Sequence, residues 1–363
     1  MNSREYLIEL DYLKGVSILG VVAIHASGCA LIFFPQINFS SIYSILFNQL
    51  SRFCIPIFLM ISAMLFFRNY NPDTFKFSNY LSKRAKDLLI PYLLWTIVSI
   101  SLLPITLWVP VITPVKIIET VFLGIGYCYP LYYISVLFQL MLIFLPIANG
   151  FYKKPSAFKS ASTIIIAINI LLLGFYEVIF LKKVPMGSTT TYIYENYTQP
   201  TFPIWSGYFM LGCLIGRSYD AFKLKMEQVK LFHLVLLFIP SAAYMLWDYF
   251  LSMNVYDNLD NPAENFFRIS VFIYSIAAFL FFFKIASINK NNKLMIFLGR
   301  YSFGIYLVHM AFLNPSLNIT KMFFNNWIIT TITFLLSVGL SVMVVFLLRK
   351  IKFGWMIVGP LRR

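Results

Sequence analysis

The sequence predicts an all-α protein: a polytopic integral membrane bundle of about ten transmembrane helices, with both termini in the cytoplasm. Three observations predict it. Hydrophobic residues make up 60% of the 363-residue chain and charged residues 12%, too little polar surface for a soluble protein of this length. Apolar runs of about 20 residues, enough to cross a hydrocarbon core about 30 Å thick, recur from one end to the other. The basic residues gather in alternate connections between those runs.

Taken in order, the runs place spans at 10–34, 42–67, 88–109, 130–148, 161–181, 201–217, 231–251, 266–286, 297–314 and 326–348. The first follows a mixed-charge segment and has no small-residue cleavage site behind it, so it reads as a retained span and not as a signal peptide. The third follows the basic stretch Lys83, Arg84 and Lys86, which could lie along the membrane as an interfacial helix. Most connections are short, no soluble module is long enough to stand alone, and residues 1–363 read as one membrane domain. Its core covers about 7–350, and 349–363 form a basic cytoplasmic tail.

The formal net charge is +15, and its distribution gives topology, with no nucleic-acid partner implied. One face collects Arg68, Lys76, Lys83, Arg84, Lys86, Lys153, Lys154, Lys159, Arg217, Lys223 and Lys225, together with the basic C-terminal residues through Arg363. The other face holds Lys116, Lys182, Lys183 and Lys321 beside Glu119, Glu195, Asp257, Asp260 and Glu264. This is the positive-inside asymmetry, and the basic face could also attract an anionic cytosolic ligand. Cys29, Cys54, Cys128 and Cys213 are scattered and suit packing, and no metal-ligand spacing is present. Tyr192, Tyr194 and Tyr197 in an outer loop could anchor at the interface or stack on a sugar.

Ionisable side chains inside apolar runs are the candidate functional groups, because they are costly there and usually face a protein interior or a water-filled cavity. Lys14 and His25 share the first span, LDYLKGVSILGVVAIHASG. Eleven residues at about 100° each return to the same helix face, with the two groups about 16 Å apart along the axis. Asp11 is a candidate ion-pair partner for Lys14. Arg52 lies near mid-membrane in NQLSRFCIPIFLMISAML, where Pro56 frees its carbonyl for another partner. His309 and Gln139 reach similar depths in LGRYSFGIYLVHMAF and PLYYISVLFQLMLIFLP. Lys83, Arg84 and Arg300 sit at the inner edge, where they could join Lys14 in a basic mouth. These groups suit either catalysis or a transport path.

The stretches LDYLKGVSILGVVAIHAS, SRFCIPIFLMISAMLFF, KRAKDLLIPYLLW, YPLYYISVLFQLMLIFLP, FPIWSGYFMLGCLIGR and LGRYSFGIYLVH, in this order, resemble the acyltransferase family 3 of membrane proteins. The resemblance covers nearly the whole chain, in the short form without a fused extracytoplasmic domain. The family more often has arginine at the position of Lys14 and glycine at that of Ala63.

The resemblance implies a cell-membrane enzyme. It would transfer an acyl group, usually acetyl, from cytosolic acyl-coenzyme A to a hydroxyl of a surface polysaccharide or lipid-linked glycan. On that basis Lys14, Lys83, Arg84 and Arg300 would hold the donor, and Gln139 and His309 would contact substrate. His25 would act as general base and Arg52 would stabilise the oxyanion or orient the acceptor. Direct attack and a route through acyl-His25 both stay open at this point. The alternative reading is an exporter or flippase of a glycan or lipid-linked sugar.

Overall fold

The structure is a computed structural model that describes residues 7–34, 36–68, 70–71, 73–106, 113–125, 131–181, 187–256 and 266–361. Cys128, Lys182, Lys183, Asp257, Asp260, Glu264 and Arg363 fall outside these residues. Among the described residues there are helices and turns and no strand. In chain order the helices are α1 (Ile8–Phe33), α2 (Phe39–Gln49), α3 (Cys54–Arg68), α4 (Phe77–Thr106), α5 (Pro114–Leu123), α6 (Tyr132–Phe151), α7 (Pro155–Leu181) and α8 (Ser188–Tyr197). They continue as α9 (Ser206–Arg217), α10 (Tyr219–Gln228), α11 (Leu231–Tyr256), α12 (Ile269–Ile288), α13 (Lys293–Val308), α14 (Met310–Thr320), α15 (Ile328–Leu348) and α16 (Trp355–Val358).

Seven segments among the described residues are long and apolar enough to cross a membrane, and a bent pair, α13 with α14, makes an eighth. Three of the ten expected runs differ locally from a single straight helix. The run at 201–217 contains only the twelve-residue α9 behind a 3-10 turn at Pro203–Trp205, and twelve residues rise about 18 Å. The run at 88–109 is the later part of α4, a 30-residue helix whose first turns carry Lys83, Arg84 and Lys86. That basic stretch therefore continues into the apolar helix and is not a separate interfacial one. The run at 42–67 is two helices, α2 and α3, interrupted at residues 50–53.

The chain divides into two compact units. One comprises Met1–Ile61, Tyr219–Leu347 and Leu361–Arg363, the other Ser62–Ser218 and Leu348–Pro360. In the first unit α1 is the central post, with α2, α12, α13 and α14 packed on it. Its closest neighbour is α13, because glycine removes the side chain on each side of the contact. A Cβ on Gly15 would lie 2.1 Å from the Met295 carbonyl oxygen, and one on Gly299 would lie 1.8 Å from that of Asp11. Local signals start two helices here. Asn38 and Ser41 cap α2 reciprocally, and the Asn292 side chain accepts from the Met295 N–H at the start of α13. Gly299→Ala is therefore expected to destabilise the protein by about 1–3 kcal/mol through overpacking. Thermal melting in detergent checks this, with Gly28→Ala, which meets nothing within 4 Å, as the neutral comparison.

In the second unit Gln139 on α6 holds the turn before α9. Its amide nitrogen donates to the Pro200 carbonyl at 2.9 Å and to Ser135 Oγ at 3.1 Å, and its oxygen accepts from the Phe202 N–H at 3.1 Å. Asn169 on α7 donates to the Pro203 carbonyl at 2.8 Å, beside Gly207. Tyr197 donates to the Glu119 carboxylate and packs on Tyr192, while Tyr194 packs on Tyr176. The carboxylate contact holds the Tyr197 hydroxyl protonated well above the usual phenol range.

Candidate functional site

The predicted groups His25, Arg52, His309, Lys14 and Arg300 all belong to the first unit. His25 lies within the unbroken α1, eleven residues beyond Lys14, so the same-face relation and the spacing of about 16 Å stand. His309 occupies the junction between α13 and α14, where the axis turns by 81°. The two imidazole rings meet, with centroids 5.3 Å apart and planes tilted by 42°. Their exposure differs: His309 is fully buried and His25 is half-buried. His309 Nδ1 lies 2.6 Å from the Tyr306 carbonyl oxygen. A carbonyl has no proton to give, so the neutral ring carries its proton on Nδ1 and leaves Nε2 as the acceptor. Nε2 has no hydrogen-bond partner among the described residues.

Arg52 sits in the break between α2 and α3, held by short-range backbone bonds from Ser51 N–H to the Asn48 carbonyl and from Arg52 N–H to the Gln49 carbonyl. Pro56 occupies the first turn of α3, where its missing N–H interrupts no helical bond. The Arg52 side chain is 5% exposed. Its Nη2 donates to Asn48 Oδ1 at 2.5 Å, and the guanidinium lies 5.0 Å from the centre of the Phe266 ring. It makes no ion pair with a carboxylate among the described residues, and Nε has no partner there. A buried guanidinium held by a neutral amide and a ring keeps its charge available to an anion or a developing oxyanion. Asn48 joins Arg52 to the α1 turn that carries His25, through the Ile24 carbonyl and Ser27.

At the other end of this path Lys14 Nζ binds Asp11 Oδ1 at 2.9 Å, and Arg300 Nε lies 3.9 Å from Asp11 Oδ2. Lys223 binds Glu9 at 2.9 Å nearby on α1. Lys14 thus has the ion-pair partner expected for it, within a cluster of three cations and two carboxylates. Lys83, Arg84 and Gln139 belong to the second unit. Lys83 is exposed, Arg84 Nε donates to Tyr80 Oη at 3.0 Å, and the Gln139 amide is occupied by the three bonds described above.

The profile of a family described as an acyltransferase domain matches residues 7–346. The chain belongs to this acyltransferase family. Two relatives of this family member are Staphylococcus aureus proteins with the provisional name poly-beta-1,6-N-acetyl-D-glucosamine export protein. The one from strain MRSA252 is 24% identical over 98% of this chain and 97% of its own length. The one from strain MSSA476 is 26% identical over 85% and 82%. A third, from Bacillus subtilis strain 168, carries the provisional name membrane-bound acyltransferase YfiQ and is 23% identical over 97% and 94%. No solved structure gives a significant match.

Beside Arg52, the acyltransferase-family chain carries buried polar groups that the sequence reading passed over. Arg268, at the start of α12, binds Asp248 of α11 with Nη1 to Oδ2 at 3.0 Å, and Ser270 donates to the same oxygen. Arg268 Nη2 donates to Gln49 Oε1 at 2.7 Å. The signal for them was present, since Asp248 and Arg268 fall inside the apolar runs 231–251 and 266–286. Lys284, also inside a run, donates to the Met226 and Glu227 carbonyls at 2.9 Å each and caps the end of α10.

Proposed function

We propose that this protein is a membrane O-acyltransferase. It moves an acyl group, acetyl foremost, from acyl-coenzyme A to a hydroxyl of an N-acetylglucosamine-type surface polysaccharide or its lipid-linked precursor. The observation that carries this reading is a partly exposed imidazole, His25, packed on a buried one, on a helical turn that Asn48 joins to a guanidinium with no carboxylate partner among the described residues. Family membership supports the reaction class, and the names of the Staphylococcus relatives suggest the acceptor.

His25 takes the proton of the acceptor hydroxyl as its oxygen attacks the thioester carbonyl, and returns it to the departing coenzyme A thiolate. Arg52 balances the charge that gathers on the carbonyl oxygen. His309 backs His25 and fixes its ring. Lys14 and Arg300, on the predicted cytoplasmic side, suit the phosphate end of the donor. The separation from Lys14 to His25 leaves room for its long thiol-bearing arm. Lys14→Ala is expected to raise KM for acyl-coenzyme A about tenfold, the value of one charge-assisted contact, with kcat nearly unchanged. Steady-state kinetics in proteoliposomes separates the two.

Export is the second reading, favoured by the names of the Staphylococcus relatives. Mass spectrometry of surface glycans, with and without the protein, tests between them. Loss of one acyl substituent on an otherwise normal glycan supports the transferase. Loss of surface glycan with intact acylation of the retained material supports export.

A further inference from the structure

The mechanism above uses His25 and Arg52 but not the buried polar groups between and behind them, and those groups have a direction. Asn48 Oδ1 faces two donors, Arg52 Nη2 at 2.5 Å and Gln49 Nε2 at 3.3 Å. Asn48 Nδ2 faces two acceptors on α1, the Ile24 carbonyl at 3.0 Å and Ser27 Oγ at 3.1 Å. Ile24 and Ser27 bracket His25 on the same helical turn. One amide thus joins the turn that carries the imidazole to the guanidinium. Its orientation cannot reverse, because a flip would set N–H groups against donors and the oxygen against a carbonyl.

The Gln49 amide is oriented in the same way. Its oxygen accepts from Arg268, whose second nitrogen is bound to Asp248. In this group two guanidiniums, each 5% exposed or less, share one carboxylate. Asp248 sits on Arg268, so among the described residues the charge left without a counter-ion is that of Arg52.

We propose that Asn48 is a positioning residue that sets Arg52 in register with His25, and that Asp248, Arg268 and Gln49 form a relay that locks the Asn48 amide in the working orientation. The relay also reserves the single carboxylate for Arg268 and keeps Arg52 unneutralised for the reacting oxygen. The inference rests on the proposed role of Arg52.

A double-mutant cycle tests it in proteoliposomes with labelled acetyl-coenzyme A and an N-acetylglucosamine oligosaccharide. Asn48→Leu is expected to lower kcat about 100-fold with KM for the donor within about twofold, and Gln49→Met to lower kcat about tenfold. Combined with Arg52→Ala, neither should reduce the rate further, because both act through Arg52. Losses that multiply in the double variants, or normal kcat in Asn48→Leu, overturn the proposal. Full activity in Arg52→Ala defeats the role assigned to Arg52, and the proposal with it. Impaired Arg52→Ala with multiplying losses defeats the proposal alone. Should Asn48→Leu fail to fold, Asn48→Asp keeps the volume and an acceptor. Its carboxylate pairs with Arg52 but loses the donor to the Ile24 carbonyl, so kcat should fall in folded protein; a normal kcat there is equally decisive against the proposal.

Discussion

His25→Ala is expected to lower kcat about 1,000-fold, within the range that general-base catalysis supplies, in protein that inserts and melts like the wild type. The size follows from what alanine leaves behind. His309 stays in place with Nε2 as its acceptor, but it is fully buried. It is less open to an acceptor than His25, which is partly exposed on the neighbouring helix. His309→Ala should therefore reduce kcat less, by about tenfold, through loss of the ring that orients His25. Equal losses at both positions would mean that the pair works as one unit. A larger loss at His309 would reverse the assignment.

The largest stability effect is expected at Asp248. Asp248→Leu leaves the Arg268 guanidinium buried without its counter-ion and should destabilise the protein by about 3–5 kcal/mol. The double variant Asp248→Leu/Arg268→Met removes the orphaned charge as well and should recover most of that loss. Equilibrium unfolding in detergent checks both. In the double variant Gln49 has lost the donor that orients its amide, so stability should return without full activity. Recovery of both together would make the ion pair purely structural.

The fold class and the candidate base were legible because a membrane makes charge conspicuous. Lys14, His25 and Arg52 stand out in apolar runs, and the eleven-residue spacing holds on any unbroken helix. The bends within the runs were not legible, because an apolar run records composition and not where the backbone turns. The run at 297–314 conceals the 81° bend that places His309, and the run at 42–67 conceals the break that places Arg52. The meeting of His25 with His309 joins opposite ends of the chain, and no local pattern encodes it. Arg268 and Asp248 met the same criterion as Arg52, but their pairing depends on how α11 packs against α12. That pairing decides which arginine keeps a free charge, and side-chain periodicity carries no information about it.

The most direct test of the account follows both products of one reaction. Purified wild-type protein and His25→Ala are reconstituted in liposomes and given acetyl-labelled coenzyme A with an N-acetylglucosamine oligosaccharide. The account predicts free coenzyme A and labelled, acetylated oligosaccharide in equal amounts with the wild type, and neither with His25→Ala. Oligosaccharide that crosses the bilayer unmodified, with no coenzyme A released, would contradict it.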